Sequence, residues 1–108
     1  MNDSKNNDSG NEWEKDQDGN PTGGKSWGIG YEINWQNGIH KNGKNGAFLE
    51  EVIEHCVARL EYFNSTKFRC RENSLAITKL EEALMWLNYR TANRQKQGVE
   101  NSYETHKD

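Results

Sequence analysis

The sequence is poor in hydrophobic residues, proline and cysteine. Of its 108 residues, 31% are hydrophobic, one is proline and two are cysteine. Two cysteines, Cys56 and Cys70, do not make the framework of a small disulfide-rich domain. No apolar run approaches the roughly 18 residues that a membrane-spanning helix needs. The N-terminus also lacks the charged start and apolar core of a signal peptide, so the sequence predicts a reduced, soluble protein of the cytoplasm.

Charge is distributed unevenly along the chain. Residues 1–25 carry six acidic and three basic side chains, and the resulting net charge of −3 equals that of the whole chain. The remainder is neutral overall, which argues against a DNA or RNA polymer as partner. Beyond Met1, the first 25 residues contain one large apolar side chain, Trp13. Such a segment buries too little apolar surface to offset its ordering entropy, so we expect a disordered acidic tail.

A strand pattern follows this tail. Residues 31–36 (YEINWQ) alternate apolar and polar side chains, which is typical of a half-buried strand. The pair Asn37-Gly38 favours a type I′ hairpin turn, with 39–41 as the return strand and His40 as an exposed strand residue rather than a ligand. A lone two-stranded ribbon is marginally stable in water, so we expect it to lie on the helices or to pair with another chain.

Two stretches have helical periodicity, residues 47–64 and 73–97. Asn45 is the expected N-cap of the first helix, and Gly98 the expected C-terminal stop of the second. The apolar stripe of the first helix comprises Leu49, Val52, Ile53, Cys56, Leu60 and Phe63. The facing stripe of the second comprises Ile77, Leu80, Leu84, Leu87 and Thr91. Further apolar side chains on the second helix, including Trp86, Met85 and Tyr89, exceed what one partner helix covers, which predicts a homo-oligomer.

The sequence therefore predicts an α+β fold, in which a small N-terminal β-hairpin precedes a two-helix antiparallel hairpin, assembled as a homo-oligomer. The expected domain spans residues 26–100. It lies between the disordered acidic tail, 1–25, and a flexible C-terminus, 101–108.

Two groups of cations are candidates for binding anions. Arg90 and Arg94 are i and i+4 on one helix face, so their guanidinium groups can clamp a diphosphate. Basic residues near a helix C-terminus are also ordinary partners of the helix dipole, and that alternative stays open. In the hinge, Lys67, Arg69 and Arg71 lie next to a helix N-terminus, where an anion is favoured, or are merely solvated.

Two further residues, Asn73 and Phe63, lie at the hinge end of the predicted hairpin. The amide of Asn73 can read a base edge or a phosphate, or cap the helix, and Phe63 offers an aromatic plane or a core contact. Asn73 and Arg90 are separated by seventeen residues, roughly 25 Å along a helix. One chain therefore cannot place both ends around a small ligand. Two chains packed antiparallel can, and the combination suits an adenine nucleotide with a diphosphate.

The sequence also resembles that of the helical-hairpin domain shared by phage Thoeris anti-defence sponges and anti-CBASS sponges. The resemblance covers about residues 30–100, and the Thoeris branch is the more similar one. The matching segments are YEINWQNG (31–38), FRCREN (68–73), TKLEEALMWL (78–87) and the pattern Arg90-Thr91, Arg94 and Gly98-Val99-Glu100. The family usually continues with glycine where this chain has Asn101.

This resemblance implies a function and a site. Members of the Thoeris branch sequester cyclic ADP-ribose isomers without cleaving them, in pockets between two subunits lined by positions that resemble Phe63, Asn73, Arg90 and Arg94. Some relatives form hexamers and hold cyclic di- or trinucleotides at separate sites, for which Lys67, Arg69 and Arg71 are the candidates here. We thus expect a sponge for glycocyclic ADP-ribose that blocks Thoeris effector activation, as a homodimer or hexamer in the host cell cytoplasm.

Two other classes of function are alternatives to this one. An enzyme that degrades the same signal is disfavoured, because the sequence has no paired-acid motif and no nucleophile with an obvious base. It also shows no metal-ligand spacing, and we expect no cofactor and no metal. The alternative to a sponge is a protein–protein adaptor of phage origin that acts on a host partner through the side of the second helix that carries Trp86.

Overall fold

The protein contains three strands followed by two helices. A computed structural model describes residues 8–38 and 43–97, with side chains as far as Arg94. The strands are β1 (Gly10–Lys15), β2 (Pro21–Gly28) and β3 (Tyr31–Trp35), and the helices are α1 (Leu49–Asn64) and α2 (Arg71–Gln97). This order confirms the α+β class. The described chain divides into two compact units, one ending at Phe48 and one beginning at Leu49.

The first unit is built on an antiparallel meander in the order β1-β2-β3. β1 and part of β2 lie within residues 1–25, where the sequence predicted a disordered tail, so the structure departs from that prediction from Gly10 onward. Composition measures apolar content, whereas these strands gain backbone hydrogen bonds and cross-strand contacts because β1 pairs with β2 and β2 pairs with β3. A three-stranded sheet is also better able to persist than the predicted two-stranded ribbon.

A hydrogen-bonded chain of side chains crosses the sheet. The indole Nε1 of Trp35 on β3 donates to Ser26 Oγ on β2 at 2.8 Å, and that hydroxyl donates to Asn11 Oδ1 on β1 at 2.6 Å. Beside it, β1 and β2 approach closely at Gly24, where φ is 127° and a Cβ atom would clash with the carbonyl oxygen of Glu12. Glycine at position 24 therefore permits the register of this sheet.

The segment after β3 loops round to lie beside the end of β3 instead of starting a helix. Ala47 forms a parallel bridge with Trp35, and its N–H donates to the carbonyl oxygen of Asn34 at 2.8 Å. The Asn45 side chain accepts from the Asn37 N–H and donates to its carbonyl oxygen, at 2.8 and 3.1 Å. The prediction that Asn45 caps the helix is thus wrong, because residues 45–47 pair with the end of β3 and α1 begins at Leu49.

The turn predicted at Asn37-Gly38 is described only in part. Gly38 has a φ of 86°, as that turn type requires. The predicted return strand, 39–41, and its His40 lie outside the described residues. So do Gly98, Val99 and the predicted C-terminal segment 101–108.

The second unit is the antiparallel helical hairpin that the sequence predicts. Its helices are linked near the hinge by a hydrogen bond from Asn64 Nδ2 to Ser74 Oγ, and at the far end by the Arg90–Glu50 pair. The expected facing stripe of α2 is half-buried throughout. On α1, however, Leu49 and Cys56 are exposed, and Val57 is half-buried. Val57 lies four residues after Ile53, within about 40° of it around the helix, so it occupies the stripe position assigned to Cys56.

Candidate functional site

The hinge between the helices is a compact turn held by side-chain hydroxyls. Ser65 Oγ and Thr66 Oγ1 donate to the carbonyl oxygens of Tyr62 and Phe63, each at 2.6 Å. These carbonyls belong to the last turn of α1 and have no partner within the helix. Thr66 Oγ1 also accepts from the N–H of Phe68 at 3.1 Å. The helix end and the start of the hinge are therefore fixed relative to each other.

This turn brings a pocket together at the hinge end of the hairpin. The pocket has a volume of about 410 Å³ and is lined by Phe63, Phe68, Cys70 and Asn73. Phe63 and Asn73 are the pair that the sequence predicted to lie here. Phe68 and Cys70 were not predicted as site residues. An aromatic ring beside a single amide suits a flat heterocycle that stacks on the ring and bonds through its edge.

Asn73 is held by two hydrogen bonds. Its Nδ2 donates to Asn64 Oδ1 at 3.2 Å and to the carbonyl oxygen of Phe68 at 3.3 Å. Asn73 is the third residue of α2, and its side chain reaches back to α1 and the hinge. It therefore ties the two together instead of capping the helix, which was the structural alternative. Asn64 was not predicted as a site residue, since nothing in its spacing distinguishes it from a residue that ends a helix.

Arg59 is a second residue that the sequence did not single out. Its guanidinium carbon lies 4.8 Å from the centre of the Phe63 ring and 5.3 Å from that of Tyr62. These distances are typical of cation–π contacts. The signal in the sequence was the i, i+4 spacing of Arg59 and Phe63, which places both on one side of α1.

Arg90 and Arg94 lie on the last part of α2, at the opposite end of the hairpin. Arg90 Nη2 is 3.5 Å from Glu50 Oε2, and the Arg90 side chain is 52% exposed. Such a long contact on an exposed side chain is weak. It orients the guanidinium group while leaving most of its donors accessible. Arg90 and Asn73 are seventeen residues apart on one continuous helix, so roughly 25 Å separates the two predicted halves of the site.

The three hinge cations are exposed, and one of them, Lys67, contacts the pocket residue Phe68. Lys67 Nζ lies 5.4 Å from the centre of the Phe68 ring. Arg69 follows it in the hinge, and Arg71 is the first residue of α2. Their side chains form a basic surface next to the pocket.

Two other kinds of feature are absent from the described ranges, 8–38 and 43–97. Within them, no group of three or more His, Cys, Asp or Glu side chains is placed to hold a metal ion. No helix within them is both long and apolar enough to cross a membrane.

Comparison with known proteins places the helical hairpin in a family. Residues 29–92 match the family model described as "Acb2/Tad1, hairpin domain". The chain is also 52% identical over 73 residues to "Thoeris anti-defense 1" of Bacillus phage SBSphiJ7. That alignment covers 67% of this chain and 51% of the phage protein, so the chain spans about half the length of this relative. Because the family model covers more than half of the sequence, the chain belongs to the Acb2/Tad1 hairpin-domain family.

Proposed function

We propose that this protein is a phage anti-defence sponge. It binds and sequesters a cyclic ADP-ribose immune signal, glycocyclic ADP-ribose, in the cytoplasm of the host cell, so that the Thoeris effector is not activated. Membership of the Acb2/Tad1 family and the similarity to a phage protein named for Thoeris anti-defence support this proposal.

The observation that carries the proposal is the separation of two complementary half-sites on one hairpin. The pocket of Phe63 and Asn73 accepts a base at one end, and the guanidinium groups of Arg90 and Arg94 accept a diphosphate at the other. In an antiparallel homodimer, the base half-site of each chain meets the arginine pair of its partner. Each charge-assisted hydrogen bond to the diphosphate contributes about 1.5–3 kcal/mol.

The chemistry of these side chains suits binding without cleavage. An aromatic ring, a neutral amide and two guanidinium groups include no general base at neutral pH, because arginine does not deprotonate in proteins. The signal is thus held intact and removed by mass action.

Titration calorimetry with the cyclic ADP-ribose isomers tests the proposal. We expect tight binding by the natural chain and loss of binding in Arg90→Ala/Arg94→Ala. The variant Lys15→Ala/Lys79→Ala, which removes two exposed cations elsewhere, is the matched control and should bind normally. Heat denaturation should then release intact signal, measured by mass spectrometry. Full binding by the arginine variant would contradict the proposal, and recovery of a cleaved product would point to an enzyme.

Lys67, Arg69 and Arg71 are proposed to form a separate site for cyclic di- or trinucleotides. Their support is the clustering of three exposed cations beside the base pocket. The same calorimetric panel, extended to these nucleotides, tests that site. A protein that is monomeric by native mass spectrometry and indifferent to every nucleotide would instead favour the protein–protein adaptor.

A further inference from the structure

We infer that Asn64 fixes the amide of Asn73 so that the pocket offers a hydrogen-bond acceptor, and that the bound base presents an amino group to it, as adenine does. This inference rests on the proposed function, because it concerns the base half-site of the same ligand.

The orientation of the Asn64 side-chain amide is determined by the backbone N–H of Cys70. The N–H of Cys70 approaches one side-chain atom of Asn64 at 3.3 Å. A backbone N–H can only donate, so this atom is the carbonyl oxygen Oδ1. The amide nitrogen of Asn64 then faces Ser74 Oγ, 3.1 Å away, where it donates. Asn64 is thereby locked in one of its two flip states.

The orientation of Asn73 follows from that of Asn64. One atom of the Asn73 amide lies 3.2 Å from Asn64 Oδ1 and 3.3 Å from the carbonyl oxygen of Phe68. Both of these partners are acceptors, so the atom between them must be the NH₂ group. A flipped amide would place its oxygen against two other oxygens, so neither of its two close contacts would be a hydrogen bond. With both amide hydrogens engaged, the carbonyl oxygen of Asn73 remains for a ligand.

An acceptor selects among purines by their six-position. Adenine carries an amino group there, whereas hypoxanthine and guanine carry a carbonyl oxygen. The Phe63 ring lines the same pocket as Asn73, so a base stacked on the ring lies with its edge near the amide. A ribose hydroxyl is also a donor, but a planar base can stack on the Phe63 ring, whereas a puckered sugar cannot stack in this way. The structure therefore assigns the Asn73 oxygen to the exocyclic amine.

The test compares a cyclic ADP-ribose isomer that the natural chain binds with its hypoxanthine counterpart. We expect the hypoxanthine compound to bind about 10- to 100-fold more weakly, because an unpaired acceptor then faces the carbonyl oxygen. In Asn64→Ala the Asn73 amide is free to rotate, so the ratio of the affinities for the adenine and hypoxanthine compounds should fall towards one. Asn64→Asp keeps an acceptor for Asn73 and the Cys70 N–H, so it should retain the ratio. Asn88→Ala, an exposed asparagine on α2, is the matched control.

The outcomes separate this inference from the proposed function. If the natural chain binds no isomer, the proposed function fails. Equal affinity for the adenine and hypoxanthine compounds overturns the inference while the sponge function stands. Weakened binding of a deoxyribose analogue alone would assign the Asn73 oxygen to the sugar and overturn it likewise. If folded Asn64→Ala keeps the natural ratio of the two affinities, or folded Asn64→Asp loses it, then Asn64 does not orient the Asn73 amide. If Asn64→Ala does not fold, the affinity ratios of the natural chain and of Asn64→Asp still test the inference.

Discussion

The guanidinium group of Arg59 lies over the rings of both Phe63 and Tyr62. A cation held against the Phe63 ring limits the orientations of that ring and so presents it to the pocket in a fixed plane. Exposed cation–π contacts contribute about 0.5–1 kcal/mol, so we expect Arg59→Met to weaken binding of the cyclic ADP-ribose isomer about two- to fivefold. Calorimetry at constant salt measures this change.

A double-mutant cycle separates positioning of Phe63 from direct attraction of the phosphates. If Arg59 acts through the ring, Arg59→Met should cost nothing further in a Phe63→Leu background, because the π face is already gone. Lys79→Met, which removes one exposed cation from α2, controls for net charge. An Arg59 effect that persists undiminished with Phe63→Leu and fades at high salt would mean that Arg59 contacts the phosphates instead.

At the residue level, spacing predicts which side chains share a surface but not which hydrogen bonds form. The i, i+4 rule placed Arg90 and Arg94 together on α2, and hairpin topology placed Phe63 near Asn73. The Asn64–Asn73 bond joins residues nine positions apart across a turn. Its existence depends on the shape of that turn, which Ser65 and Thr66 determine through their hydroxyls. No periodicity in the sequence encodes such a contact.

The turn between β1 and β2 is organised by one carboxylate. Asp16 accepts hydrogen bonds from the N–H of Asn20, the side-chain amide of Asn20 and the N–H of Asp18, at 3.0, 3.1 and 2.9 Å. These bonds, the Asn20 N–H first among them, hold the pKa of Asp16 below its ordinary value. The charged form is the one stabilised. The contribution of this carboxylate to the folded turn is therefore complete above the ordinary pKa of aspartate, about 3.9, and is lost as pH falls through the depressed value.

We therefore expect acid to loosen this turn at a pH below that at which a free aspartate protonates. An NMR titration of the Asp16 carboxyl carbon and of the Asn20 amide should show both changing together. Asp16→Asn keeps an acceptor but carries no charge, so its Asn20 amide should show no such transition. An Asp16 that titrates at or above its ordinary value would contradict the hydrogen-bonded turn.

Helices were easier to predict here than strands. The bounds of α1 and α2 follow from apolar periodicity and from breaks at Asn64 and the hinge, and they agree with the predictions to within two residues. β1 lacks an apolar stripe and is defined by its pairing with β2, so its own composition indicated disorder. The start of α1 was placed too early for a similar reason, because Ala47 bonds to β3 and cannot also begin a helix.

The single chain leaves its apolar surface largely open. Among the residues with described side chains, none is fully buried. Trp86 and Tyr89 on α2 pack edge to face at 6.1 Å, yet they are 58% and 63% exposed. Large aromatic side chains grouped in this way mark an interaction surface. A second copy of the hairpin is the partner that the proposed ligand site also requires.

Subunit complementation tests whether each site is shared between two chains. One variant, Phe63→Ala/Asn73→Ala, lacks the base half-site, and another, Arg90→Ala/Arg94→Ala, lacks the diphosphate half-site. Alone, neither should bind a cyclic ADP-ribose isomer. When the two are unfolded together and refolded, each mixed dimer has one pocket with both halves intact and one with neither. Random pairing in a two-fold symmetric dimer then restores about one quarter of the natural number of sites, each with natural affinity.

Native mass spectrometry and calorimetry on the same refolded mixture measure pairing and binding together. Refolding the natural chain in the same way is the control for recovery of the fold. If mixed dimers form and bind nothing, the two half-sites do not meet across the interface, and the antiparallel arrangement is wrong. If either variant binds alone with natural affinity, its missing half-site is not part of the pocket. Restored sites of natural affinity would instead mean that Asn73 of one chain and Arg90 of its partner hold the same ligand. We expect this arrangement because the two residues are too far apart along α2 to share a ligand within one chain.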